Sequence, residues 1–459
     1  MSVATLFAEH ALLPSGWARN VTLHWTNGVF DRVEANTSPP ADAHTAPGPV
    51  IPGLPNLHSH AFQRGFAGLT EYRSSAADSF WSWRDLMYRF ASALTPECLE
   101  AIAFWLYVEM LEAGFTSVCE FHYVHHQPDG IPYADDAALS RSLLRAAERA
   151  GIGMTLLPVL YQTGGFGGQP ANPGQRRFLR STDTMLALLQ TLRTDTAGSD
   201  TRIGLAPHSL RAVPPASLAE AVAGLHALDA TAPVHIHVAE QTREVEDCLA
   251  WSGQRPVQWL LDHADVDRRW CLIHATHMTP DEYQRGAATG AVAGLCPSTE
   301  ANLGDGLFDL SQWRVQGGTW GVGSDSNTVV NAAEELMLLE YGQRLRLHAR
   351  NVLATAEQPH VATAMLLQSV AGGAQAAARP VAGLAAGQRA DCVVLDADHV
   401  ALAALMPEDM LSAHLFASNR SSAVASVWTA GIERVRGQHE QHDAAVSGFI
   451  AARAGLLAG

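Results

Sequence analysis

The chain has 459 residues, 47% hydrophobic and 17% charged, with a formal net charge of −16 and a pI near 5.7. That is enough chain for one large domain with a smaller companion, and the acidic balance argues against a nucleic-acid partner. No lysine occurs, so all 30 Lys-or-Arg positions are arginine. The six cysteines (Cys98, Cys119, Cys248, Cys271, Cys296 and Cys392) include no Cys-x-x-Cys pair and read as free thiols of a reducing compartment. The N-terminus lacks the pattern of a secretory leader. No apolar run reaches the ~20 residues that span a bilayer. The expectation is a cytoplasmic protein without membrane attachment.

In chain order, residues 1–50 predict short strands (Thr5 to Ala8, Val21 to Trp25, Gly28 to Val33) and a Pro/Ala/Thr-rich loop over 36–48. The middle then alternates short apolar runs with helical stretches, the signal of βα units. Eight strands are predicted: 50–57, 117–121, 154–160, 203–206, 234–238, 270–274, 291–295 and 319–323. Helices are predicted over 98–113, 137–150, 216–228, 245–249, 257–263 and 333–347, two of them stopping at Gly114 and Gly151. A Gly/Pro-rich loop over 163–176 follows the third strand and reads equally as a lid or a connector. The C-terminal part turns β-rich again, with a strand at Cys392 to Asp396 and a hairpin over 424–437. Eight βα units suit an α/β fold of the (β/α)8 TIM-like barrel type, and no Gly-x-Gly-x-x-Gly follows the first strand to favour a dinucleotide fold. The expected layout is a barrel over 51–380. Both chain ends, 1–50 and 381–459, would build a small β-sandwich domain, the latter with a terminal helix.

In such a barrel the C-terminal strand ends carry the chemistry. Six of the eight predicted ends are polar: His58-Ser59-His60, Glu120 to Tyr123, His208 to Arg211, His235 to Glu240, His274 to His277, and Ser324 to Ser326 with Asp325. On a strand, His58 and His60 share a face, as do His235 and His237. His58, His60, His237 and Asp325 would make a three-nitrogen, one-oxygen set suited to zinc or another divalent transition metal. His235 lies deeper and is expected to pack. Glu240, just past the strand, can act as general acid and base. His274 can hydrogen-bond the attacking water or the developing charge. His125, His126 and His277 are expected to be exposed or loop histidines. Barrel hydrolases with two metals commonly bridge them by a carbamylated lysine, which this chain cannot supply, so one metal is expected, lowering the pKa of its water towards ~7.

These residues resemble the amidohydrolase superfamily in its single-metal deaminase branch: Pro52-Gly53, Asn56-Leu57-His58-Ser59-His60, His237-x-x-Glu240, His274 and Ser324-Asp325, nearly end to end with Gly383 to Asp396. Three longer strings, Asn56 to Arg64 with Gly68 to Glu71, Glu120 to His125, and Ala206 to Val213, resemble more narrowly the family of deiminases acting on N-formimidoyl-L-glutamate. That resemblance implies hydrolysis to N-formyl-L-glutamate and ammonia in histidine breakdown, one divalent ion (zinc), a homodimer and a small dicarboxylate substrate. It implies metal ligation by His58, His60, His237 and Asp325, acid/base work by Glu240 with His274 and Asp325 assisting, and substrate contacts from Gln63, Arg84, Tyr123, His208 and Arg211. Arginine suits a dicarboxylate, since its guanidinium binds carboxylate bidentately. The competing readings are a single-metal deaminase of guanine, cytosine or an S-adenosylhomocysteine-like nucleoside, hydrolysis to glutamate and formamide, and a barrel retained only as a binding module.

Overall fold

Two hairpins with the same turn chemistry anchor the ends of the chain. In the computed structural model, which describes residues 5–71, 80–418 and 423–458, β1 (Thr5–Leu13) is followed by β2 (Gly16–Thr26) and β3 (Val29–Glu34). The β2–β3 loop is Asn27-Gly28, with φ of 52° and 80°. Two consecutive left-handed residues make the turn that matches strand twist. Short β4 (His44–Thr45) and β5 (Val50–Pro52) follow and lie parallel to β1.

The chain then enters the barrel. Its strands are β6 (Leu54–Ser59), β7 (Phe115–His122), β8 (Gly153–Leu160), the short pair β9 (Arg202–Ile203) and β10 (Ala206–Pro207), β11 (Val234–Val238), β12 (Trp270–His274), β13 (Val292–Leu295) and β14 (Thr319–Val322). All pair in parallel. Parallel strands covered on both faces should be apolar throughout, and β6, β7, β8, β11, β12 and β13 are buried at every residue. Two arcs, β6–β10 and β11–β14, meet at both seams through single bridges: Leu205–Val234 and Ser209–His237 on one side, Ser59–Asp325 on the other. With β9 and β10 as one interrupted stave, this is the eight-staved (β/α)8 barrel.

Returning from the barrel, β15 (Cys392–Leu395) pairs antiparallel with β5, Val393 opposite Ile51, and so joins the C-terminal strands to the N-terminal ones. β16 (Val424–Thr429), β17 (Ile432–Arg436) and β18 (Gln438–His439) complete a nine-stranded sheet. The β16–β17 turn, Ala430-Gly431, again has two positive φ values, 48° and 71°. It lies against Gly28, where a Cβ would stand 2.9 Å from that of Ala430. Trp25 and Trp428 meet edge-on, 5.8 Å between centroids, over a core of Leu6, Leu23 and Phe30. The strands of the two ends are linked in one hydrogen-bonded path.

Differences from the sequence reading have local causes. The predicted strand over 50–57 is two strands serving two sheets, divided at Gly53, where a Cβ would stand 2.2 Å from the Thr116 side chain. The predicted strand over 203–206 breaks at Gly204, which lies against the Pro233 carbonyl, 2.6 Å from a would-be Cβ. The helices over 98–113 and 137–150 run Pro96–Glu112, where Thr95 accepts the N–H of Cys98 (3.2 Å), and Ala138–Ala150, ended by Gly151 at φ 78°. Among the described residues no helix is long and apolar enough to cross a membrane.

Candidate metal centre and cleft

β6 carries His58 and presents His60 just beyond its end, and β11 carries His237. Asp325 follows β14 in a left-handed conformation, φ 48°. Such a backbone is costly for a residue with a Cβ and is held by its surroundings. Here the surroundings are a polar stitch across the β14–β6 seam. Asn56 donates to Ser324 Oγ (2.7 Å) and accepts the Ser324 N–H (3.1 Å). Asn327 donates to the His60 carbonyl (3.1 Å), and the His60 and Asp325 amides donate to the carbonyls of Asp325 and His58 (3.0 Å each). Gly323 permits the approach, since a Cβ there would stand 2.7 Å from both N and O of His58.

One nitrogen or oxygen from each of His58, His60, His237 and Asp325 lies within 4.8 Å of all the others. His60 Nδ1–H donates to the Phe121 carbonyl (2.8 Å) and His237 Nδ1–H to the His208 carbonyl (3.1 Å). Those bonds fix the tautomers and leave both Nε2 atoms as acceptors. The His237 and His58 Nε2 atoms are 3.0 Å apart, and Asp325 Oδ1 is 3.4 Å from His58 Nε2 and 3.3 Å from His60 Nε2. Burial pushes the His58 imidazole down to about 3, the nearby Asp325 carboxylate only partly opposing it, so this ring is neutral. Neutral nitrogens and a carboxylate oxygen converging on one point ask for a cation. The donor set fits a divalent transition metal.

Next to it sits a buried carboxyl. Glu240 lies two residues past β11, after Ala239 at φ 52°. Its Oε1 is 3.9 Å from His274 Nε2, and Asp325 Oδ2 is 3.6 Å from the same nitrogen. Burial raises the Glu240 carboxyl above its ordinary range, the usual way a carboxyl is tuned for proton transfer. For His274, burial opposes protonation, but the carboxylates of Glu240, Glu300 and Asp325 outweigh it and carry the imidazole up to about 10.

Above the centre opens a cleft of about 590 Å³, counting its mouth. His60, His237, Glu240, His274 and Asp325 form one part of its wall, and Gln63, Arg84, Tyr123, His208 and Arg211 lie on another. Gln63 donates to Tyr123 Oη (2.9 Å), which donates to Met87 Sδ (3.6 Å). His208 packs on Tyr161, 4.7 Å between ring centroids. Burial works against charge on Arg211, but the carboxylates of Glu244 and then Glu240 hold its proton more tightly than usual. Arg84 arrives on helix Phe80–Ala93. The structure thus brings every sequence-predicted site residue to one cleft, save His58, which lies beneath it.

Some expectations change. His125 and His126 lie in a loop, as expected, but are buried rather than exposed, donating to the carbonyls of Val159 (2.9 Å) and Leu179 (2.8 Å). The loop explains it: it folds under Arg177, whose carbonyl receives both histidine amides. His277 is half-buried. His235 is packed, bonded to the Ala376 carbonyl (2.8 Å). The Gly/Pro-rich loop is tied down, with Gln175 donating to Tyr161 Oη (2.6 Å) and Phe166 stacked on Trp251. Sequence reasoning missed Glu300, whose Oε1 accepts both His274 Nδ1–H (3.3 Å) and the Cys296 amide (2.8 Å). It also missed Met87, Tyr88, Tyr161 and Phe178 on the cleft wall. Glu300 had a signal, since Pro297-Ser298-Thr299-Glu300 follows a strand end; the apolar wall had none.

The family model described as "Amidohydrolase family" matches residues 50–433. The chain belongs to the amidohydrolase family. A second model, "Formimidoylglutamate deiminase HutF, N-terminal domain", matches residues 3–45 of this amidohydrolase. A formimidoylglutamate deiminase of Pseudomonas aeruginosa is 50% identical, covering 99% of this chain and 100% of that protein. An 8-oxoguanine deaminase of the same species is 28% identical over 88% of each. Among solved structures, an amidohydrolase from Brucella melitensis superposes with a TM-score of 0.94 at 48% identity, covering 99% of both chains. An adenosine deaminase from Xanthomonas campestris with bound zinc shares the fold at 19% identity, TM-score 0.80, over 99% of this chain and 98% of that one.

Proposed function

We propose that this amidohydrolase converts N-formimidoyl-L-glutamate and water to N-formyl-L-glutamate and ammonia. One observation carries the reading: a cleft that sets a buried carboxyl, Glu240, beside a cation-demanding cluster also carries two guanidiniums, Arg84 and Arg211, on its wall. A dicarboxylate with a hydrolysable C–N bond meets both features. The 50% identical formimidoylglutamate deiminase supports the same substrate, and the relatives acting on purines and nucleosides are far more distant.

His58, His60, His237 and Asp325 would hold one divalent ion, zinc in this reading, which when bound supplies Lewis-acid activation of a water molecule. Arg84 and Arg211 bind the two substrate carboxylates, with Gln63, Tyr123 and His208 shaping the space around the formimino group. Glu240 takes a proton from the attacking water and delivers it to the departing nitrogen. Water adds first: the C–O bond forms as the C=N bond becomes single and that nitrogen takes the first proton. Glu240 then passes the second proton from the new hydroxyl to the same nitrogen, the C–N bond breaks to release ammonia, and the C=O bond forms. His274, protonated among its carboxylates, and Asp325 meet the charge of the tetrahedral carbon. We further propose, as the resemblance implies, a homodimer, a cytoplasmic setting, and a catalytic unit over 51–380 flanked by the two end segments, 1–50 and 381–459, as a β-sandwich domain.

The test is product identification from metal-replete protein and N-formimidoyl-L-glutamate. Ammonia and N-formyl-L-glutamate are expected; formamide and glutamate, or ammonia only from guanine or a nucleoside, would overturn the reading. Glu240→Gln should lower kcat by roughly 10²–10⁴, the usual worth of a positioned acid/base group, with metal content unchanged. Near-normal kcat in that variant would remove Glu240 from the proton transfer.

A further inference from the structure

The turn that carries Glu240 is held by a side chain outside the chemistry. Helix Thr242–Ser252 begins with Gln241 as its N-cap, and Gln241 makes no side-chain cap bond. A glutamate at the third helical position ordinarily reaches back to the N-cap amide. Glu244 occupies that position but reaches further. Its Oε1 accepts the Ala239 N–H and its Oε2 the Glu240 N–H, each at 3.1 Å. Both bonds lie across the left-handed residue Ala239, φ 52°, a conformation that must be held from outside. Glu244 is 2% exposed, so water does not compete for these amides. Gln241, freed from capping duty, instead donates to Asp305.

The charge of the same carboxylate also acts on a residue of the cleft wall. Among the charges acting on Arg211, that of Glu244 is the strongest, ahead of Glu240. Glu244 therefore acts on two parts of the site: by two hydrogen bonds on the turn that carries Glu240, and by its charge on the Arg211 guanidinium.

We propose that Glu244 is a positioning residue shared by the two halves of the site: its two oxygens aim Glu240 through the backbone, and its charge steadies the Arg211 clamp. The inference rests on the proposed roles of Glu240 in proton transfer and of Arg211 in carboxylate binding. Neither follows from a helix cap alone, because an ordinary cap would stop at Gln241.

The experiment compares Glu244→Gln, Glu244→Asp and wild type, each metal-replete, in steady-state turnover of N-formimidoyl-L-glutamate across pH. Glutamine keeps the size and one acceptor but loses the charge. We expect kcat to fall at least tenfold and KM to rise several-fold. The acid limb of the kcat profile should move to lower pH, because Glu244 is one of the charges that raise Glu240. Aspartate keeps the charge but withdraws it from the amides, so kcat should fall while KM stays within about twofold. As a control, Glu282→Gln removes a buried capping-box glutamate outside the cleft and should lower Tm without moving kcat or the acid limb. Wild-type kcat, KM and acid limb in Glu244→Gln overturn the proposal. So does a Tm loss in all three variants with no kinetic change. Should Glu244→Gln not fold, the kcat-against-KM split in Glu244→Asp decides. Absence of ammonia release by wild type would instead defeat the substrate reading, a separately visible failure.

Discussion

At the scale of single residues, the site is a set of carboxylates arranged about one imidazole. His274 has Glu240 and Asp325 near Nε2 and Glu300 on Nδ1, at 3.9, 3.6 and 3.3 Å. Three anions around a buried ring make its protonated form the stable one, against burial, up to about pH 10. Glu300 also accepts the Cys296 amide at 2.8 Å, so its own position is set by the start of the next helix. Replacing Glu300 by Gln removes one of the charges that raise the His274 pKa. The sign follows directly: the alkaline limb of the kcat profile, which reports loss of the imidazolium, should move to lower pH. The lost charge-assisted bond, on the order of 1.5–3 kcal/mol, should lower kcat by roughly 10- to 100-fold. Steady-state kinetics from pH 6 to 10 would show it, and an unmoved alkaline limb would remove the His274 imidazolium from charge stabilisation.

At the scale of elements, the metal cluster depends on how tightly β14 approaches β6. Leu57 of β6 lies against Gly321, where a Cβ would stand 2.7 Å from its Cδ2, and the backbone of His58 lies against Gly323. An alanine at 323 would press on backbone atoms that cannot move aside. Gly323→Ala should therefore cost about 1–3 kcal/mol, the usual range for overpacking, and weaken metal binding, because His58 and Asp325 sit on the two strands being forced apart. Calorimetry and metal analysis would check both effects, and an unchanged metal content would show that the seam tolerates the methyl group. These contacts also explain what the sequence makes legible. The βα alternation and the polar strand ends were readable because short apolar runs and terminal histidines leave a pattern in the chain itself. The break at Gly53 was not, because it follows from Thr116, far away in sequence. Helix Val361–Ala377 escaped notice for a related reason: buried almost all round, it has no polar face to set a helical period. Its Gly372 and Gly373 let it lie on Trp320 of β14 and Pro55 of β6. In the cleft, the ligand set and Glu240 were legible from spacing. Glu244 and Glu300 were not, because their partners are backbone amides that only the folded turn presents.

For the whole molecule, an ion held by the cluster would act as a clasp. Its ligands come from β6, β11 and the segment after β14. At the two seams, β10–β11 and β14–β6, backbone pairing among the described residues is reduced to isolated bridges. His237 stands at one seam, bridged to Ser209, and Asp325 at the other, bridged to Ser59. An ion held by all four therefore ties both seams at once, where backbone pairing is thinnest. Without it, the His58 and His237 Nε2 atoms, 3.0 Å apart, are joined by at most one proton, a hydrogen bond between two neutral rings. Metal binding to the folded form alone stabilises it by mass action, by about 4 kcal/mol at a thousandfold excess over Kd. Chelation should then lower Tm by several degrees and abolish turnover, and both should return on adding zinc. Acid should act in the same direction. Burial depresses the imidazoles of His58 and His122 to about 3 and of His235 to about 4 in the folded state, whereas unfolded histidine titrates near 6.5. The unfolded chain thus binds more protons below that value, and the stability these neutral rings contribute is lost progressively from pH 6.5 towards 3. The chelated protein should accordingly unfold at a higher pH than the metal-replete protein in an acid titration followed by circular dichroism. Coincident acid transitions for the two forms would show that the ion does not clasp the seams.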